Sequence, residues 1–574
     1  MKKEKYRDAK KFDNIKEIIY NSVKLYPNHI AFVTKIKDNN ETKYKNTTYK
    51  EMLDEINAFG TALYNKNLLG KRLAICGRNR YEWALSHLTC MLGGIVSVPL
   101  DKELQVEELE ESLVRSKAEA IVFDEKYIDK IEYIKKNGKT LLKEYICMSK
   151  LEGFDDVPTL IEKGRKDIES ENKEYINHEV DSKKMSILLF TSGTTSKSKA
   201  VMLSQYGIAV NVYDMQLVET ITDKDVNIAF LPFHHIFGST AMIVMLACGV
   251  KTVFTDGLRY IQSNLKEYKV TLFVGVPLLV DKMYENIEKE IAKQGKTKII
   301  KIAKGISNFL LKFHIDIRRK VFKQVIDGLG GEMRFVISGG APLDKRTAKG
   351  FNDLGIHMVQ GYGLTETSPV IAAENDFKMK LGSIGVPMKD TIVEIVDKDK
   401  KGIGELRVKG PNVMLGYYEN EEATKQVLKD GWFYTGDLGY IDKDGFIFIT
   451  GRKKDMIVLK NGKKVFPEEL ETLVNRIPEI EESIVFGMPE EDDKSKIKIA
   501  IKVVYNEEKV KEKYGNISEE ELFKNIWSEI KEVNKLLPPY KYIKYMILTN
   551  KPLIKTTTQK VKRNEELKEI LKLK

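Results

Sequence analysis

The sequence is poor in cysteine: its 574 residues include four, at Cys76, Cys90, Cys147 and Cys248. They lie in apolar or mixed surroundings, and no two of them form a C-x-x-C pair. Zinc sites and disulfide frameworks usually show such closely spaced pairs. The spacing therefore excludes an evident zinc site and predicts reduced thiols in the cytoplasm.

Long hydrophobic runs are also absent from the sequence. The longest, Ala241–Val250, ends at Lys251 and is far shorter than the roughly 20 residues of a membrane span. The basic N-terminus, Met1–Lys11, is followed by no apolar segment of a signal peptide. We therefore expect a soluble cytoplasmic protein, for which weak peripheral contact with the inner face of the membrane is left open.

The charge excess is modest and is not concentrated in one segment. Lys and Arg number 95 against 84 Asp and Glu, a net charge of +11. Charges of both signs alternate along the chain, which is typical of a solvated surface, so we expect no nucleic-acid partner. Hydrophobic residues make up 42%, enough for packed cores, and the length predicts two or more domains.

Apolar segments alternate in type over the first 300 residues and more. Thr48 and Glu51 form a capping-box signature, after which apolar residues recur at helical spacing. Short apolar runs bounded by Gly, Pro or charge predict buried parallel strands: Leu73–Cys76, Ile95–Leu100, Ala120–Phe123, Ile187–Phe190, Leu272–Val276 and Phe335–Ile337. Alternating strands and helices predict an α/β fold whose large N-terminal domain is built on parallel sheets.

The chain changes character after residue 381. Glycines become dense and short strands are predicted at Gly404–Val408 and Gly445–Thr450, which indicates a small β-rich subdomain. A second, α+β pattern follows residues 450–455, with these predicted elements: a helix at Pro467–Val474, a strand at Ile497–Val504 and a helix at Glu519–Leu537. We therefore predict an N-terminal domain of residues 1–450 and a C-terminal domain of residues 455–574.

A loop rich in small hydroxylated residues follows the strand at Ile187–Phe190. Backbone N–H groups, hydroxyls and lysine charge together suit phosphate oxygens, and the candidate ligands are Thr191, Ser192, Gly193, Thr194, Thr195 and Lys199. The loop is not a Walker A motif, because no second glycine precedes a Lys-Ser/Thr pair. On these residues alone, a solvated Ser/Thr loop explains the pattern equally well.

The same loop, continued to Ser204, resembles the signature of the adenylate-forming superfamily, which contains acyl- and aryl-CoA synthetases, peptide-synthetase adenylation domains and luciferases. Further blocks follow in the family's order: Leu231–Gly238, Ser338–Leu343, Gln360–Thr367, Tyr434–Gly439, Gly451–Asp455 with Asn461-Gly462, and Pro552–Arg563. The chain is most similar to bacterial long-chain fatty-acid–CoA ligases. Taken singly, each block also has a structural explanation, such as a turn, a packed histidine or a solvated lysine.

The resemblance implies how ATP is held. Tyr362 would stack on adenine, in a pocket lined by Gly339, Gly340, Ala341, Gln360, Gly361 and Gly363. Asp437 would bind the ribose hydroxyls and Arg452 would make a second ribose contact. Glu366 would hold a Mg²⁺ ion that bridges the phosphates, and Thr365 would contact the α-phosphate.

The resemblance also implies the catalytic groups. His235 would flank the acyl carboxylate, and Lys560 would be the catalytic lysine that neutralises charge on the α-phosphate and carboxylate; Lys555 lies five residues too early. Lys454 would be the hinge within residues 451–454, and Gly462 would lie on the face that admits CoA. The sequence departs from the family at Ser196, Ala200 and Gln559, where glycine is usual.

The implied reaction joins a carboxylate to ATP, releasing pyrophosphate, and then transfers the acyl group from acyl-AMP to the thiol of CoA. The implied substrates are a long-chain fatty acid, ATP and CoA, with Mg²⁺. Three alternatives stay open at this point. They are an acyl-AMP ligase that loads a carrier protein, a short-chain or aryl-acid CoA ligase, and a non-catalytic nucleotide-binding module.

Overall fold

The computed structural model describes residues 6–38, 41–191, 198–460, 462–490, 496–556 and 561–572. Contacts divide the chain into two compact units. The first unit comprises residues 1–193, 197–393 and 408–433, and the second contains residues 394–407 and 434–574. Within the described ranges, no helix combines the length and the apolar character that a membrane crossing requires. The four cysteines are buried free thiols.

The strands have the following bounds in chain order: β1 Ile30–Asp38, β2 Glu41–Thr48, β3 Arg72–Cys76, β4 Val96–Leu100, β5 Ala120–Phe123, β6 Glu144–Cys147, β7 Asp155–Asp156, β8 Met185–Thr191, β9 Lys199–Ser204, β10 Val226–Ala229, β11 Lys251–Phe254, β12 Leu272–Gly275, β13 Phe335–Gly339, β14 His357–Gly363, β15 Val370–Ala373, β16 Val386–Pro387, β17 Ile392–Val396, β18 Gly404–Lys409, β19 Gly416–Tyr417, β20 Leu428–Lys429, β21 Trp432–Ile441, β22 Ile447–Arg452, β23 Ile457–Val458, β24 Lys464–Val465, β25 Ile480–Pro489, β26 Ile497–Tyr505 and β27 Ile543–Thr549.

The helices have the following bounds: α1 Ile15–Leu25, α2 Tyr49–Asn65, α3 Tyr81–Leu92, α4 Val106–Ser116, α5 Ile128–Asn137, α6 Val157–Glu169, α7 Glu174–Asn177, α8 Gln205–Val218, α9 Ile236–Ala247, α10 Ile261–Glu267, α11 Pro277–Lys293, α12 Thr297–Leu311, α13 Arg318–Val321, α14 Lys323–Gly328, α15 Lys345–Asp353, α16 Glu421–Val427, α17 Pro467–Val474, α18 Glu507–Tyr514, α19 Glu519–Lys535 and α20 Arg563–Lys572.

Two sheets form the framework of the first unit. One runs in the order β16–β15–β14–β13–β12–β10–β11–β1–β2, and the other runs β19–β9–β8–β4–β3–β5–β6–β7. Their inner strands pair in parallel, as in β12–β13–β14 and β4–β3–β5, whereas β1–β2, β8–β9 and β14–β15 are antiparallel. Parallel neighbours require crossover connections, which the helices between the strands supply.

One apolar core contains side chains from both sheets of the first unit. It includes Ile75 of β3, Val201 of β9 and Ile337 of β13, together with most of α3 and α9. Helices that are apolar on all sides are buried, and α9 contains no charged residue. Smaller cores lie where α11 and α15 pack on one sheet and where α4 and α5 pack on the other. The predicted parallel-sheet α/β fold is confirmed.

The second unit has its own α+β core. β25 pairs antiparallel with β26, which pairs in parallel with β27. Apolar residues of α17 and α19 pack on this sheet in one cluster, and Ile570 of α20 packs in another. The predicted elements of this region are present as Pro467–Val474, Ile497–Tyr505 and Glu519–Lys535.

The predicted strand at Gly445–Thr450 begins later than expected. Its observed range is Ile447–Arg452, because the residues before it close a turn. The Asp442 carboxylate accepts hydrogen bonds from the N–H groups of Asp444 and Phe446, and the Gly445 N–H donates to the Asp442 carbonyl. Side-chain capping by Asp is a common way to fix such a turn.

Candidate active site

The ends of two parallel strands form the wall predicted to face the nucleotide base. In the register of β13 and β14, Gly339 lies opposite Gly361. A Cβ on Gly339 would lie 3.2 Å from the ring of Phe237 and 3.3 Å from the carbonyl oxygen of Gly361. Ligands of α/β proteins commonly bind beyond the carboxyl ends of parallel strands. Because Gly339 has no side chain, its backbone can lie close to the Phe237 ring and to the Gly361 carbonyl at this edge of the sheet.

Two more glycines of these blocks have structural reasons. Gly340 has a φ of +87°, a backbone conformation that residues with a Cβ rarely adopt. Gly363 lies so close to β15 that a Cβ would be 1.8 Å from the Pro369 carbonyl oxygen. Ala341 is exposed beside Gly340, and Tyr362 is half-buried between its two glycines.

Hydrogen bonds within the protein hold Gln360, which precedes Gly361 on β14. Its buried side-chain amide donates to the carbonyl of Ser383, and its backbone N–H donates to the Glu374 carboxylate over 3.3 Å. Burial raises the pKa of Glu374 to about 7, although N–H donors from Gln360 and Lys380 oppose the shift. The side chain of Gln360 is thus engaged within the protein.

Thr365 and Glu366 begin a short 3₁₀ turn directly after β14. The buried Thr367 hydroxyl fixes this turn, because it accepts from the Leu364 N–H and donates to the Pro369 carbonyl over 2.6 Å. The Tyr417 hydroxyl donates to Glu366 Oε1 over 2.8 Å. Burial, together with the charge of Glu366, raises the pKa of Tyr417, so the phenol stays protonated and keeps donating.

Lys199 reaches the same cluster from β9. Its Nζ lies 4.6 Å from the centre of the Tyr417 ring, a cation–π contact. β19 pairs antiparallel with β9, and this register places Tyr417 opposite Val201. A cation, a neutral phenol and a carboxylate therefore follow one another from β9 to the turn after β14.

The predicted phosphate loop connects β8 and β9. Thr191 and Lys199 are opposite each other at its base, where the Thr191 hydroxyl donates to the Lys199 carbonyl over 3.2 Å. Ser192, Gly193, Thr194 and Thr195 lie outside the described residues. The Arg115 guanidinium contacts Ser198, which closes the loop, through its carbonyl over 2.7 Å and its hydroxyl over 3.0 Å.

His235 occupies the N-cap position of α9. The backbone N–H of His235 donates to the Pro232 carbonyl over 3.1 Å, and its ring centre lies 4.9 Å from that of His234. Asn79 fixes the preceding segment by accepting from the Phe233 N–H over 2.9 Å and donating to the Leu231 carbonyl over 2.7 Å. The Phe237 ring, on the same helix, lies 3.2 Å from where a Cβ on Gly339 would be, so His235 begins a helix that packs beside the glycine wall.

The second unit holds the predicted ribose-binding residues. Asp437 and Arg452 face each other in the antiparallel pair β21–β22, with 3.1 Å between Arg452 Nε and Asp437 Oδ1. Asp437 is buried, whereas Arg452 is exposed. Both predicted ribose contacts are therefore adjacent within this unit.

The hinge segment follows Arg452 directly. Lys453 is tied down by an ion pair of 2.7 Å with Glu405, and Lys454 is exposed. Gly462 lies in the turn between β23 and β24, with a φ of +74°. Lys560 lies outside the described residues, and Lys555 forms an ion pair of 2.7 Å with Glu482.

Two contacts of this site were missed by the sequence prediction. Tyr417 belongs to none of the motif blocks named above and was assigned no role from the sequence. Asn79 was not singled out, since a lone Asn in a loop carries no distinctive signal. Both act on residues more than 50 positions away, at sequence separations of 51 for Tyr417–Glu366 and 154 for Asn79–Phe233.

Comparison with known proteins defines the class. Residues 19–418 match the model of the AMP-binding enzyme family, and residues 454–571 match that of the AMP-binding enzyme C-terminal domain. The first match covers more than half of the chain. The protein therefore belongs to the AMP-binding enzyme family.

Two curated relatives and one solved structure illustrate the similarity. The long-chain-fatty-acid–CoA ligase FadD15 of Mycobacterium bovis is 29% identical over 491 residues, covering 83% of this chain and 80% of its own. The chloroplastic long-chain-fatty-acid–[acyl-carrier-protein] ligase AEE15 of Arabidopsis thaliana is 27% identical, over 77% of this chain and 70% of its own. The crystal structure of the anthranilate CoA ligase AuaEII with anthranoyl-AMP matches the fold with a TM-score of 0.76 at 19% identity, covering 99% of this chain and 98% of that one.

Proposed function

We propose that this protein is an AMP-forming long-chain fatty-acid–CoA ligase. The observation that carries the proposal is the likeness to FadD15 over four fifths of both chains. The clustering of Lys199, Tyr417 and Glu366 beside the glycine wall supports it, since this arrangement suits a magnesium-bound triphosphate. The α9 helix that follows His235 contains no charged side chain, which favours an apolar acyl group.

Glu366 fits a Mg²⁺ ion. Magnesium in nucleotide sites takes one or two protein carboxylates and completes its shell with phosphate oxygens and water. Glu366 offers one carboxylate at a half-buried position, and its hydrogen-bond partner is a neutral phenol, so the negative charge is not neutralised by Tyr417. When bound, the ion would offset charge on the phosphates of ATP.

The adenine, ribose and phosphates are assigned to separate groups. Tyr362 stacks on the base, against the wall of Gly339, Gly340, Ala341 and Gly361, and Gln360 and Gly363 shape the wall. Asp437 accepts hydrogen bonds from the ribose hydroxyls, with Arg452 as second contact. Thr365, Lys199 and the loop Thr191–Thr195 hold the phosphates. His235 flanks the acyl carboxylate.

The reaction proceeds in two steps. The fatty-acid carboxylate oxygen bonds to the α-phosphorus of ATP as the bond to pyrophosphate breaks, which gives acyl-AMP. Lys560 neutralises charge at this step, and positioning accounts for most of the rate gain. The C-terminal domain, residues 455–574, then turns about Lys454, and the face with Gly462 admits CoA. The thiol attacks the acyl carbon, AMP leaves, and the thiol proton is lost to solvent.

Purified protein with Mg²⁺, ATP and palmitate tests the function. Pyrophosphate release, followed by formation of palmitoyl-CoA and AMP when CoA is added, is expected. Absence of both would overturn the proposal. A panel of acids from acetate to oleate, with benzoate, measures acyl preference.

A carrier protein is the alternative acceptor, and the likeness to AEE15 favours it. Acyl transfer to a phosphopantetheinylated carrier protein, with none to CoA, would establish this alternative.

Lys560→Ala tests the assigned catalytic lysine. We expect adenylation to fall by about 10²–10³-fold, because a charge that acts in the transition state is lost. Thioester formation from supplied palmitoyl-AMP should be retained, since Lys560 serves the first step. Lys551→Ala, at an exposed position in the same segment, is the control. An equal loss in both steps would contradict the role.

A further inference from the structure

Helix α12 of the first unit presents an apolar face to solvent. The α12 face consists of Ile299, Ile302, Ile306 and Phe309, together with Phe313 in the turn that follows the helix. Their exposed fractions are 66%, 64%, 55%, 58% and 62%. The spacing of three and four residues places these side chains on one side of the helix. Such a continuous exposed row differs from scattered surface apolar residues and indicates an interaction surface.

The opposite side of α12 holds the helix in place. Ile300 and Ala303 pack against the core formed with α11 and α15. The Asn308 amide donates to Asp353 over 2.8 Å, and Lys304 Nζ donates to the Tyr284 hydroxyl over 3.1 Å. The α12 face is therefore the outer side of a docked helix.

The sequence segment that contains the α12 face carries charge of one sign. Between Glu290 and Asp316 the sequence contains no acidic residue, whereas lysines stand at six positions: Lys293, Lys296, Lys298, Lys301, Lys304 and Lys312. Lys298, Lys301 and Lys312 are exposed on the helix and its end, beside the apolar row. The apolar row therefore has lysines beside it and no acidic residue within the same sequence segment.

The phenylalanines at the end of the face are arranged together. The rings of Phe309 and Phe313 meet edge to face, with 5.3 Å between their centres. Aromatic and aliphatic groups on one side, with lysines beside them, are the features of helices that lie in the plane of a membrane interface.

We propose that the α12 face docks on the surface of a bilayer that contains anionic lipids. The apolar row enters the boundary of the acyl chains while the lysines stay among the negatively charged headgroups. A second copy of the chain fits less well, because pairing two α12 faces would bring two lysine-rich segments together without acidic partners. The proposal deepens the proposed function, since long-chain fatty acids partition into bilayers, from which a docked enzyme can collect them.

Sedimentation of the full chain with phosphatidylcholine vesicles, with and without phosphatidylglycerol, tests the proposal. We expect binding that requires the anionic lipid and weakens with salt. Replacing Lys298, Lys301 and Lys312 together by Gln should weaken binding by about fivefold for each lysine, or about 100-fold in all. The control carries Lys24→Gln, Lys136→Gln and Lys163→Gln, at exposed positions in other helices, and should bind like the parent.

The apolar row is tested by Ile302→Glu combined with Phe309→Glu. This variant should lose vesicle binding, whereas Leu141→Glu with Leu536→Glu, at positions 55% and 74% exposed, should retain it. All variants should keep the parent's thermal midpoint and its rate of adenylating palmitate in detergent, because the altered side chains point outward.

Three results would overturn the proposal: no binding of the parent to anionic vesicles, unchanged binding of both α12 variants, or a dimer in sedimentation velocity that Ile302→Glu with Phe309→Glu abolishes. The last result would assign the α12 face to a second copy. Vesicle binding is measured without ATP, so its failure is distinguishable from a failure of the ligase reaction.

Discussion

Each of the two units contains a carboxylate that the proposed function assigns to the nucleotide, and these two carboxylates have different partners. Glu366 in the first unit accepts a hydrogen bond from the neutral hydroxyl of Tyr417. Asp437 in the second unit lies 3.1 Å from the guanidinium of Arg452. A neutral donor orients a carboxylate and leaves its charge in place, whereas a cation offsets it. The first arrangement suits a metal cation and the second suits uncharged hydroxyl groups, which is the division that the proposed function requires.

Glu366→Gln tests the charge side of this comparison and should have the largest effect. Gln keeps the shape and an oxygen that accepts from Tyr417 but removes the negative charge, so magnesium binding is lost. We expect adenylation to fall by about 10²–10³-fold, as when one electrostatic group of a transition state is removed. Pyrophosphate release at saturating ATP measures this. Glu422→Gln, exposed on α16, is the control. Full activity of Glu366→Gln would remove the metal role.

Glu374 is a buried carboxylate near Glu366 in sequence, and its described hydrogen-bond donors are backbone N–H groups. Burial raises its folded pKa from an ordinary value of 4.5 to about 7. The folded protein therefore binds the proton more tightly than the unfolded chain does. The resulting stabilisation is fully present below pH 4.5 and is lost as the pH rises to about 7 and beyond.

Glu374→Gln should remove this part of the pH dependence, which amounts to about 3 kcal/mol over the interval. Urea unfolding of parent and variant at pH 5 and pH 8 measures the change, and the difference between the proteins isolates the Glu374 contribution. Glu162→Gln, exposed on α6, should follow the parent. Parallel pH profiles of parent and Glu374→Gln would show that the carboxyl titrates normally.

Asp437→Asn tests the hydroxyl-binding side of the comparison. Asn can still accept one hydrogen bond from ribose, but the charge-assisted contacts are lost, and these are the stronger kind. We expect the KM for ATP to rise by about 10–100-fold with a smaller change in kcat, since the ribose is held equally before and during reaction. Asp430→Asn, at an exposed turn, is the control. A fall in kcat at unchanged KM would contradict ribose binding.

The fold was largely predictable because buried strands leave apolar runs that are visible locally. Ala120–Phe123 and Pro467–Val474 have the predicted bounds, and the capping box at Thr48 and Glu51 is present. Strand β19 was not predictable in this way. It is two residues long, and its partner β9 lies more than 200 residues earlier, so no periodicity reports the pairing.

The same distinction between local and distant signals applies to the residues of the site. Motif blocks indicated Glu366, Asp437 and Arg452, because these residues belong to contiguous patterns. What holds them in place was not visible. The phenol at Glu366 comes from β19, and the Asn79 contacts that fix the segment before His235 come from a distant loop. Partners of this kind depend on how the chain folds back on itself.

Tyr417→Phe tests the neutral donor directly and should have the smallest effect. The variant keeps the ring that contacts Lys199 and removes the hydroxyl that orients Glu366. A hydrogen bond to a charged group contributes about 1.5–3 kcal/mol in folded proteins, and part of it is recovered when water replaces the hydroxyl at this half-buried carboxylate. We therefore expect about a fivefold loss of adenylation at low Mg²⁺, largely recovered at high Mg²⁺.

Tyr418→Phe is the matched control. The Tyr418 hydroxyl accepts from Arg72 over 2.9 Å, and its removal should leave the Mg²⁺ dependence unchanged. An equal loss at every Mg²⁺ concentration would mean that Tyr417 acts through packing, and that the contrast between the two carboxylates lies in their own surroundings.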